Sequence, residues 1–177
     1  MGILKAEELA RLLENAVPAV IPYLSIGAFA GLRASEIERL DWNEVDLTHG
    51  LIEVTAKNSK SAKRRLVKIL PNLSQWLKLR AKTNGPVAPR NLRALLLDSR
   101  RNAGIQAWPP NALRHSYASH HVAYFNDAAA LALELGHTHT GLIFQHYRQV
   151  VKPSEAERYW KIAPTGSSVR ILQFANG

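Results

Sequence analysis

Four short segments of this sequence carry polar side chains that could act together on an anionic substrate. They are GLRASE at 31–36, AKN at 56–58, NALRHSYA at 111–118, and LGH at 135–137, whose histidine precedes Tyr147 by ten residues. The planar guanidinium group of arginine can hold two oxygens of a phosphate at once. A tyrosine hydroxyl can serve as a nucleophile, and lysine and histidine can transfer protons. The segments therefore supply a candidate set for chemistry on a phosphate ester.

Each segment also has a purely structural interpretation. Arg33 stands at the start of a predicted helix, where a salt bridge with Glu36 is the simpler explanation. Lys57 alone is either a lysine that faces a polyanion or a solvated one. His115 follows Arg114 inside an otherwise apolar helix, where we expect it to be a buried hydrogen-bonding group beside the arginine. No single segment decides between the two interpretations.

The order and spacing of the segments resemble the tyrosine recombinase (phage integrase) superfamily, specifically its C-terminal catalytic domain. The family's first motif, T-G-L-R-x-x-E-L, is matched by AGLRASEI at 30–37, and Lys57 falls where the family has its hairpin lysine. The second motif, H-x-L-R-H-[ST]-[FY]-A, is matched by NALRHSYA at 111–118. The L-G-H element lies at 135–137, and Tyr147 takes the place of the nucleophile. The resemblance spans about residues 5–162, and five elements in the family's order identify the chain as a member.

The resemblance implies an enzyme that cuts and rejoins DNA through a 3′-phosphotyrosine intermediate, with no metal, ATP or other cofactor. Arg33 and Arg114 would hold the non-bridging oxygens of the scissile phosphate, where preorganised positive charge stabilises the transition state. Tyr147 would attack phosphorus, and Lys57 would protonate the departing 5′-hydroxyl. His137 would donate a hydrogen bond to the phosphate.

The sequence departs from the family pattern at two places. Asn111 stands where most members have a histidine that is thought to move protons, and an asparagine cannot titrate, although it can hydrogen-bond a phosphate oxygen. The interval of ten residues between His137 and Tyr147 is nine in most members. A shift by one residue would select His146 or Arg148, and neither is a plausible nucleophile, so Tyr147 keeps the assignment.

The charge of the chain favours a nucleic-acid partner. Its 177 residues contain 23 Lys and Arg against 14 Asp and Glu, a net charge of +9, which favours a polyanion such as double-stranded DNA over a merely solvated basic surface. Basic residues cluster at 57–68 and 80–101. In the first cluster we expect four side chains to contact DNA: Lys60, Lys63, Arg64 and Arg65.

Composition and patterning exclude several other classes of protein. With 46% hydrophobic and 21% charged residues, the chain is neither disordered throughout nor collagen-like. It has no cysteine, no histidine pattern of a metal site and no apolar run of about 20 residues for a membrane span, and its first residues do not show the pattern of a signal peptide. We expect a metal-free protein in the cytoplasm of a bacterial or phage-type system, associated with the nucleoid.

The elements that must position the site are mostly helical. The pattern predicts a mainly α fold with a small antiparallel β-sheet: strands at 51–55 and 65–70 around a basic loop, and helices at 6–14, 18–30, 36–40, 72–81, 91–103, 110–124, 127–136, 141–150 and 154–162. We expect a catalytic domain at 1–163 and a tail at 164–177. The N-terminal domain with which family members close around DNA is not expected within this chain.

Two alternatives to a site-specific recombinase stay open. One is a DNA-binding module that has lost catalysis, for which Asn111 is the warning sign. The other is an enzyme similar to type IB topoisomerases, which would relax any supercoiled plasmid as a monomer. A recombinase would instead self-associate on DNA, as a tetrameric synapse.

Overall fold

The structure, a computed structural model, describes residues 2–58, 63–136, 141, 147 and 151–166. Within these ranges the chain is mostly helical, and Gly141 and Tyr147 also have helical backbone conformation. The helices are α1 (Ala6–Glu14), α2 (Ile21–Ala30), α3 (Ala34–Arg39), α4 (Pro71–Lys78), α5 (Leu92–Asn102), α6 (Ala112–Phe125), α7 (Ala128–Leu135) and α8 (Pro153–Trp160), with 3₁₀ turns at Pro18–Val20 and Trp42–Glu44. None of the described helices has the length and apolarity to cross a lipid bilayer.

One small antiparallel sheet accompanies the helices, as the sequence predicts. Its strands are β1 (Val45–Asp46), β2 (Leu51–Val54) and β3 (Arg65–Lys68), in the order β1-β2-β3. In β2 and β3 the paired residues Ile52 and Val67 are fully buried, which fixes the register of the hairpin. Sequence analysis missed β1, because a strand of two residues shows no alternation. The prediction of a mainly α fold with a small antiparallel sheet is confirmed.

Helix α2 forms the centre of the core. All ten of its residues are buried, and it packs against α4 and α6. The hydroxyl of Tyr159 on α8 donates a hydrogen bond to the carbonyl oxygen of Ala28, at 2.6 Å, and so joins α8 to this core. The uncharged sequence predicted a buried helix from Pro18, but the first residues form a 3₁₀ turn and the α-helix begins at Ile21.

Gly31 ends α2 and turns the chain toward the first motif. Its φ of +66° lies in the left-handed region that glycine adopts most readily, and a Cβ at this position would lie 2.3 Å from the ring of Tyr117. After this turn Arg33 takes the N-cap position of α3, so α3 begins at Ala34 rather than at residue 36, where sequence analysis predicted its start. A larger residue at 31 would therefore require the Tyr117 ring on α6 to shift.

Candidate active site

Arg114 is the buried centre of the candidate site. It lies in the first turn of α6 and is 7% exposed. Its Nη1 donates to the carbonyl of Gly31 and its Nη2 to the carbonyl of Leu135, each at 2.7 Å, so one guanidinium group joins the ends of α2 and α7. Burial, and next the charge of Arg33, lower the pKa of Arg114 to about 10, which leaves the side chain charged at neutral pH.

Arg33 reaches the same region from the start of α3. Its Nη1 lies 3.1 Å from Oε1 of Glu36, which is the salt bridge that the structural interpretation predicted. The Arg33 side chain is 25% exposed, so it can still meet a ligand from solvent. Its positive charge, after burial, contributes to the lowered pKa of Arg114. Two arginines held together in this way favour an anionic ligand.

The fully buried carboxylate of Glu36 organises these cations. It accepts a 2.9 Å hydrogen bond from the backbone N–H of Arg33 and a bidentate pair from Arg65, whose Nη1 and Nη2 lie 3.0 and 2.7 Å from its oxygens. Burial alone would raise the pKa of Glu36, but the hydrogen bonds from Arg65 and Arg33 and their positive charges lower it below its usual value. Glu36 is therefore ionised and balances part of the positive charge of the site.

Arg65, one of the four side chains that sequence analysis expects to contact DNA, lies inside the site and is mostly buried. Its side chain is only 9% exposed, and its Nε donates to the carbonyl of Glu134 at 2.8 Å. Strand alternation places Arg65 on the same face as the buried Val67, whereas Leu66 between them is 46% exposed. The alternation was the signal in the sequence for this inward orientation. The structure gives Arg65 the role of fixing Glu36 against α7.

The C-terminal end of α7 receives both buried arginines. The carbonyls of Glu134 and Leu135 accept from Arg65 and Arg114, and Gly136 ends the helix with a φ of +66°. Carbonyls in the last turn of a helix have no partners within it, and the negative end of the helix dipole favours cations there. The arginines thus hold the segment that leads directly to His137, which itself lies outside the described residues.

Tyr147 and His115 form a hydrogen-bonded pair at this site. The Tyr147 residue is 6% exposed, and its hydroxyl oxygen lies 2.9 Å from Nδ1 of His115, the residue after Arg114 on α6. Burial raises the pKa of the Tyr147 phenol, and the charge of Arg114 opposes that rise. His115 was expected to be buried beside Arg114; it is instead half-buried and faces Tyr147.

Asn111 precedes α6 and lies beside the arginine of its own motif. It is exposed and lines a shallow pocket together with Arg114 and Trp108. Its φ of 55° is in the left-handed region, which asparagine and histidine both tolerate better than most residues. The backbone at this position is therefore compatible with the asparagine found here and with the family's histidine.

Lys57 lies in the turn that follows β2. The side chain of Lys57 is exposed and makes no hydrogen bond or ion pair with the described residues. The neighbouring Asn58 is buried and donates from Nδ2 to Oε1 of Glu44 at 3.0 Å, which anchors the turn to the preceding 3₁₀ turn. Lys57 can thus extend from a fixed backbone position.

The remaining residues of the predicted DNA-contacting group differ in their surroundings. Lys63 is exposed, and Lys60 lies outside the described residues. Arg64 is 63% exposed and pairs with Glu53, whose hydrogen bond raises the pKa of the guanidinium group. Exposed ion pairs of this kind contribute little to stability, so Arg64 can exchange Glu53 for a phosphate at small cost.

Tyr117 and Glu134, which sequence analysis did not single out, support the site through a hydrogen bond of their own. The hydroxyl of Tyr117 donates a hydrogen bond to Oε2 of Glu134, whose own carbonyl holds Arg65. Burial raises the pKa of Tyr117 well above its ordinary value and also raises the pKa of Glu134. In the sequence, the one signal for this pair is an acidic residue that directly precedes Leu135 and Gly136 in an apolar helix.

In the described part of the chain, no group of three or more His, Asp or Glu could hold a metal ion.

Comparison with solved structures defines the class of fold. The catalytic domain of bacteriophage HP1 integrase matches 96% of this chain and 99% of its own, with a TM-score of 0.68 and 24% sequence identity. XerA recombinase matches 93% of this chain and 66% of its own, with a TM-score of 0.68 and 23% identity. The architecture is that of the catalytic domains of tyrosine recombinases.

Sequence comparison then gives the family. A sequence model of the phage integrase family matches residues 3–153, and the chain belongs to this family. Tyrosine recombinase XerC of Pseudomonas fluorescens strain Pf-5 is 33% identical over 146 residues, which cover 68% of this chain and 47% of the relative. XerC of Azotobacter vinelandii strain DJ is 32% identical over 145 residues, with the same coverage. The chain spans about half the length of the curated relatives that it matches.

Proposed function

We propose that this chain is the catalytic domain of a site-specific DNA recombinase that cuts and rejoins DNA through a 3′-phosphotyrosine intermediate. The observation that carries the proposal is the position of the Tyr147 hydroxyl. It is buried, it contacts the imidazole of His115, and it lies within the electrostatic field of Arg114. A phenol next to a buried, preorganised cluster of arginines has the surroundings that a nucleophile for a phosphodiester requires.

In the proposed reaction the arginines of the first and second motifs bind the phosphate. Arg33 and Arg114 hold its non-bridging oxygens, and their positive charge stabilises the additional negative charge of the transition state. The Tyr147 oxygen forms a bond to phosphorus as the bond from phosphorus to the 5′ oxygen breaks. Lys57 gives a proton to that 5′ oxygen. His137 donates a hydrogen bond to the phosphate. The covalent link conserves the ester, so the rejoining step needs no ATP.

Asn111 contributes a hydrogen bond in this scheme. Its position beside Arg114 in one shallow pocket supports a contact with a phosphate oxygen. Glu36 and Arg65 act through the other residues: Glu36 balances the charge of Arg33, and Arg65 fixes Glu36.

Double-stranded DNA is the proposed substrate. The net charge of +9 and the exposed basic residues around the β2–β3 connection support it. The proposed catalytic unit is residues 1–163, followed by a tail at 164–177. We further propose that the protein acts on nucleoid DNA in the cytoplasm of a bacterial cell and assembles there as a tetramer, so that two duplexes can exchange strands.

A DNA-binding module without catalysis is the second candidate. The non-titratable Asn111, in the place of a histidine, favours it. Under this alternative the chain binds DNA but forms no covalent product. An enzyme that relaxes supercoils is the third candidate, and it would act on any plasmid.

The test is trapping of the covalent intermediate. Wild-type protein is incubated with a nicked suicide duplex, and adducts that survive denaturation are counted on a gel. We expect an adduct from wild type and none from Tyr147→Phe, while DNA affinity stays nearly unchanged, because the phenol oxygen acts mainly in the transition state. Tyr124→Phe, a half-buried tyrosine of α6 outside the site, is the matched control and should form the adduct normally.

The adduct assay and a plasmid relaxation assay together separate the three candidates. DNA binding with no adduct from wild type would leave the binding module. Relaxation of a plasmid regardless of its sequence, by a monomer, would favour the topoisomerase-like enzyme. An adduct that persists in Tyr147→Phe would place the nucleophile on another residue.

A further inference from the structure

We propose that His115 is a catalytic residue, whose Nδ1 accepts the proton of the Tyr147 hydroxyl as that oxygen attacks phosphorus. This inference rests on the proposed function and names the base for its first step. No metal or added base is needed, because donor and acceptor are both side chains of this chain.

The geometry of the pair carries the inference. Nδ1 of His115 lies 2.9 Å from the Tyr147 oxygen, within the distance over which a general base takes a proton directly. His115 directly follows Arg114, and the two carbonyl contacts of Arg114 fix the start of α6. The same turn of α6 therefore carries both Arg114, which binds the phosphate in the proposed reaction, and His115, which accepts the proton. For this role Nδ1 is the unprotonated nitrogen of the imidazole ring.

The site needs such an acceptor because the family's usual candidate is missing. Asn111 has no group that can take up a proton at neutral pH. Burial also raises the pKa of Tyr147, so the phenol is neutral before it reacts. A neutral phenol is a weak nucleophile, and its attack is faster when a neighbouring base removes the proton.

The charges around His115 and Tyr147 determine when His115 can accept the proton of Tyr147. Three arginines, Arg33, Arg65 and Arg114, and one carboxylate, Glu36, interact at this point of the structure. Proton transfer from Tyr147 adds one more positive charge, on the imidazole, beside this group of charges. Bound DNA adds the negative charge of the scissile phosphate, which compensates for the new positive charge on the imidazole. Proton transfer is therefore favoured in the complex with DNA.

The protons balance in both directions. In cleavage the Tyr147 proton moves to His115, the bond between the Tyr147 oxygen and phosphorus forms, and the bond to the 5′ oxygen breaks with a proton from Lys57. In rejoining the 5′-hydroxyl attacks phosphorus and returns its proton to Lys57. The Tyr147 oxygen leaves and regains its proton from His115. Each turnover restores both side chains.

The experiment is a pH profile of single-turnover cleavage of the suicide duplex by wild type and His115→Gln. Glutamine can still hydrogen-bond Tyr147 but cannot accept a proton. We expect the wild-type rate to rise with pH through the range in which histidine titrates. We expect His115→Gln to be slower by about 100-fold at neutral pH and to lack that rise. His49 is an exposed histidine that pairs with Asp46 and is distant in sequence from His115. His49→Gln is therefore the matched control and should behave as wild type.

A second substrate distinguishes the role of His115 as the proton acceptor from that of Lys57 as the proton donor. In a duplex whose scissile 5′ oxygen is replaced by sulfur, the leaving thiolate needs no proton, since thiols have a much lower pKa than alcohols. Lys57→Ala should recover most of its rate on this substrate, and His115→Gln should not. Asn111→His combined with His115→Gln should recover part of the rate, because it returns a titratable group beside Arg114.

Several results would overturn the proposal. One is a His115→Gln rate within about threefold of wild type with an unchanged pH profile, which would reduce His115 to a positioning residue. Another is a wild-type profile with no rise in the histidine range, a result that needs no variant. If wild type forms no adduct at all while binding DNA, the proposed function fails and this inference fails with it. An adduct with a flat pH profile defeats this inference alone.

Discussion

Arg65 and Glu36 form a bidentate ion pair in the interior of the candidate site, with Nη2 of the arginine 2.7 Å from Oε2 of the carboxylate. The pair joins β3 to α3, and Nε of Arg65 continues the connection to the end of α7. Three elements that are distant in sequence are thus held around Arg33 and Arg114. The relative positions of Arg33 and Arg114 therefore depend on the ion pair between Arg65 and Glu36.

Arg65→Ala should destabilise the protein strongly. The substitution leaves the buried carboxylate of Glu36 with fewer partners, and loss of one member of a buried ion pair costs about 3 kcal/mol or more. Urea denaturation measures the change in the free energy of unfolding. Arg64→Ala, at the neighbouring exposed position, is the control and should change stability little. Equal effects of the two substitutions would contradict the interior role of Arg65.

Asn111 should have a modest part in cleavage. If it holds a phosphate oxygen, Asn111→Ala loses a neutral hydrogen bond worth about 0.5–1.5 kcal/mol, a factor of roughly 2–13 in rate. Asn111→His should keep or raise the rate, since its backbone conformation suits both residues. Arg114→Ala should cost far more, because it removes a charged group that acts in the transition state. Single-turnover cleavage measures all three rates, and equal losses for the two alanine variants would refute the secondary role.

DNA affinity should depend strongly on salt. If about six phosphates are contacted, a plot of log affinity against log salt has a slope near −5, since each contact contributes about −0.9. Replacement of Lys60, Lys63 and Arg64 by alanine should make the slope less steep by up to about 3. Arg65 is left intact in this variant because it supports the fold. Binding measured by fluorescence anisotropy gives the slopes, and a wild-type slope near zero would exclude a polyanion as ligand.

Stability should fall as the pH drops from about 6.5 to 4, in part because of His121. Burial lowers the pKa of this histidine to about 4, so between these values the unfolded chain binds a proton that the folded chain does not. The contribution is fully present above the unfolded pKa of about 6.5 and amounts to about 3 kcal/mol. His121→Phe should flatten this part of the profile, relative to wild type. Denaturation at several pH values gives both curves, and parallel curves would show that His121 is protonated in the folded state.

The sequence by itself determined the family and most of the candidate residues. Motifs such as AGLRASEI and NALRHSYA are local, and their order along the chain is a property of the sequence alone. The helices and the hairpin followed from periodicity for the same reason. Backbone preferences at turns are also local properties of the sequence. Gly31 and Asn111 are both residue types that tolerate the left-handed backbone conformation found at their positions.

Only the tertiary structure decided which side chains these residues meet. His115 faces Tyr147 across 32 positions of sequence, and Arg114 reaches the carbonyl of Gly31 across 83. Arg65 belongs to a run of basic residues that the sequence predicts to contact DNA, yet it begins β3, and strand alternation turns its side chain inward to the buried Glu36. The choice between an exposed and a buried partner depends on how β3, α3 and α7 pack, because a guanidinium group is buried only where a carboxylate and unpaired helix carbonyls can receive its hydrogen bonds.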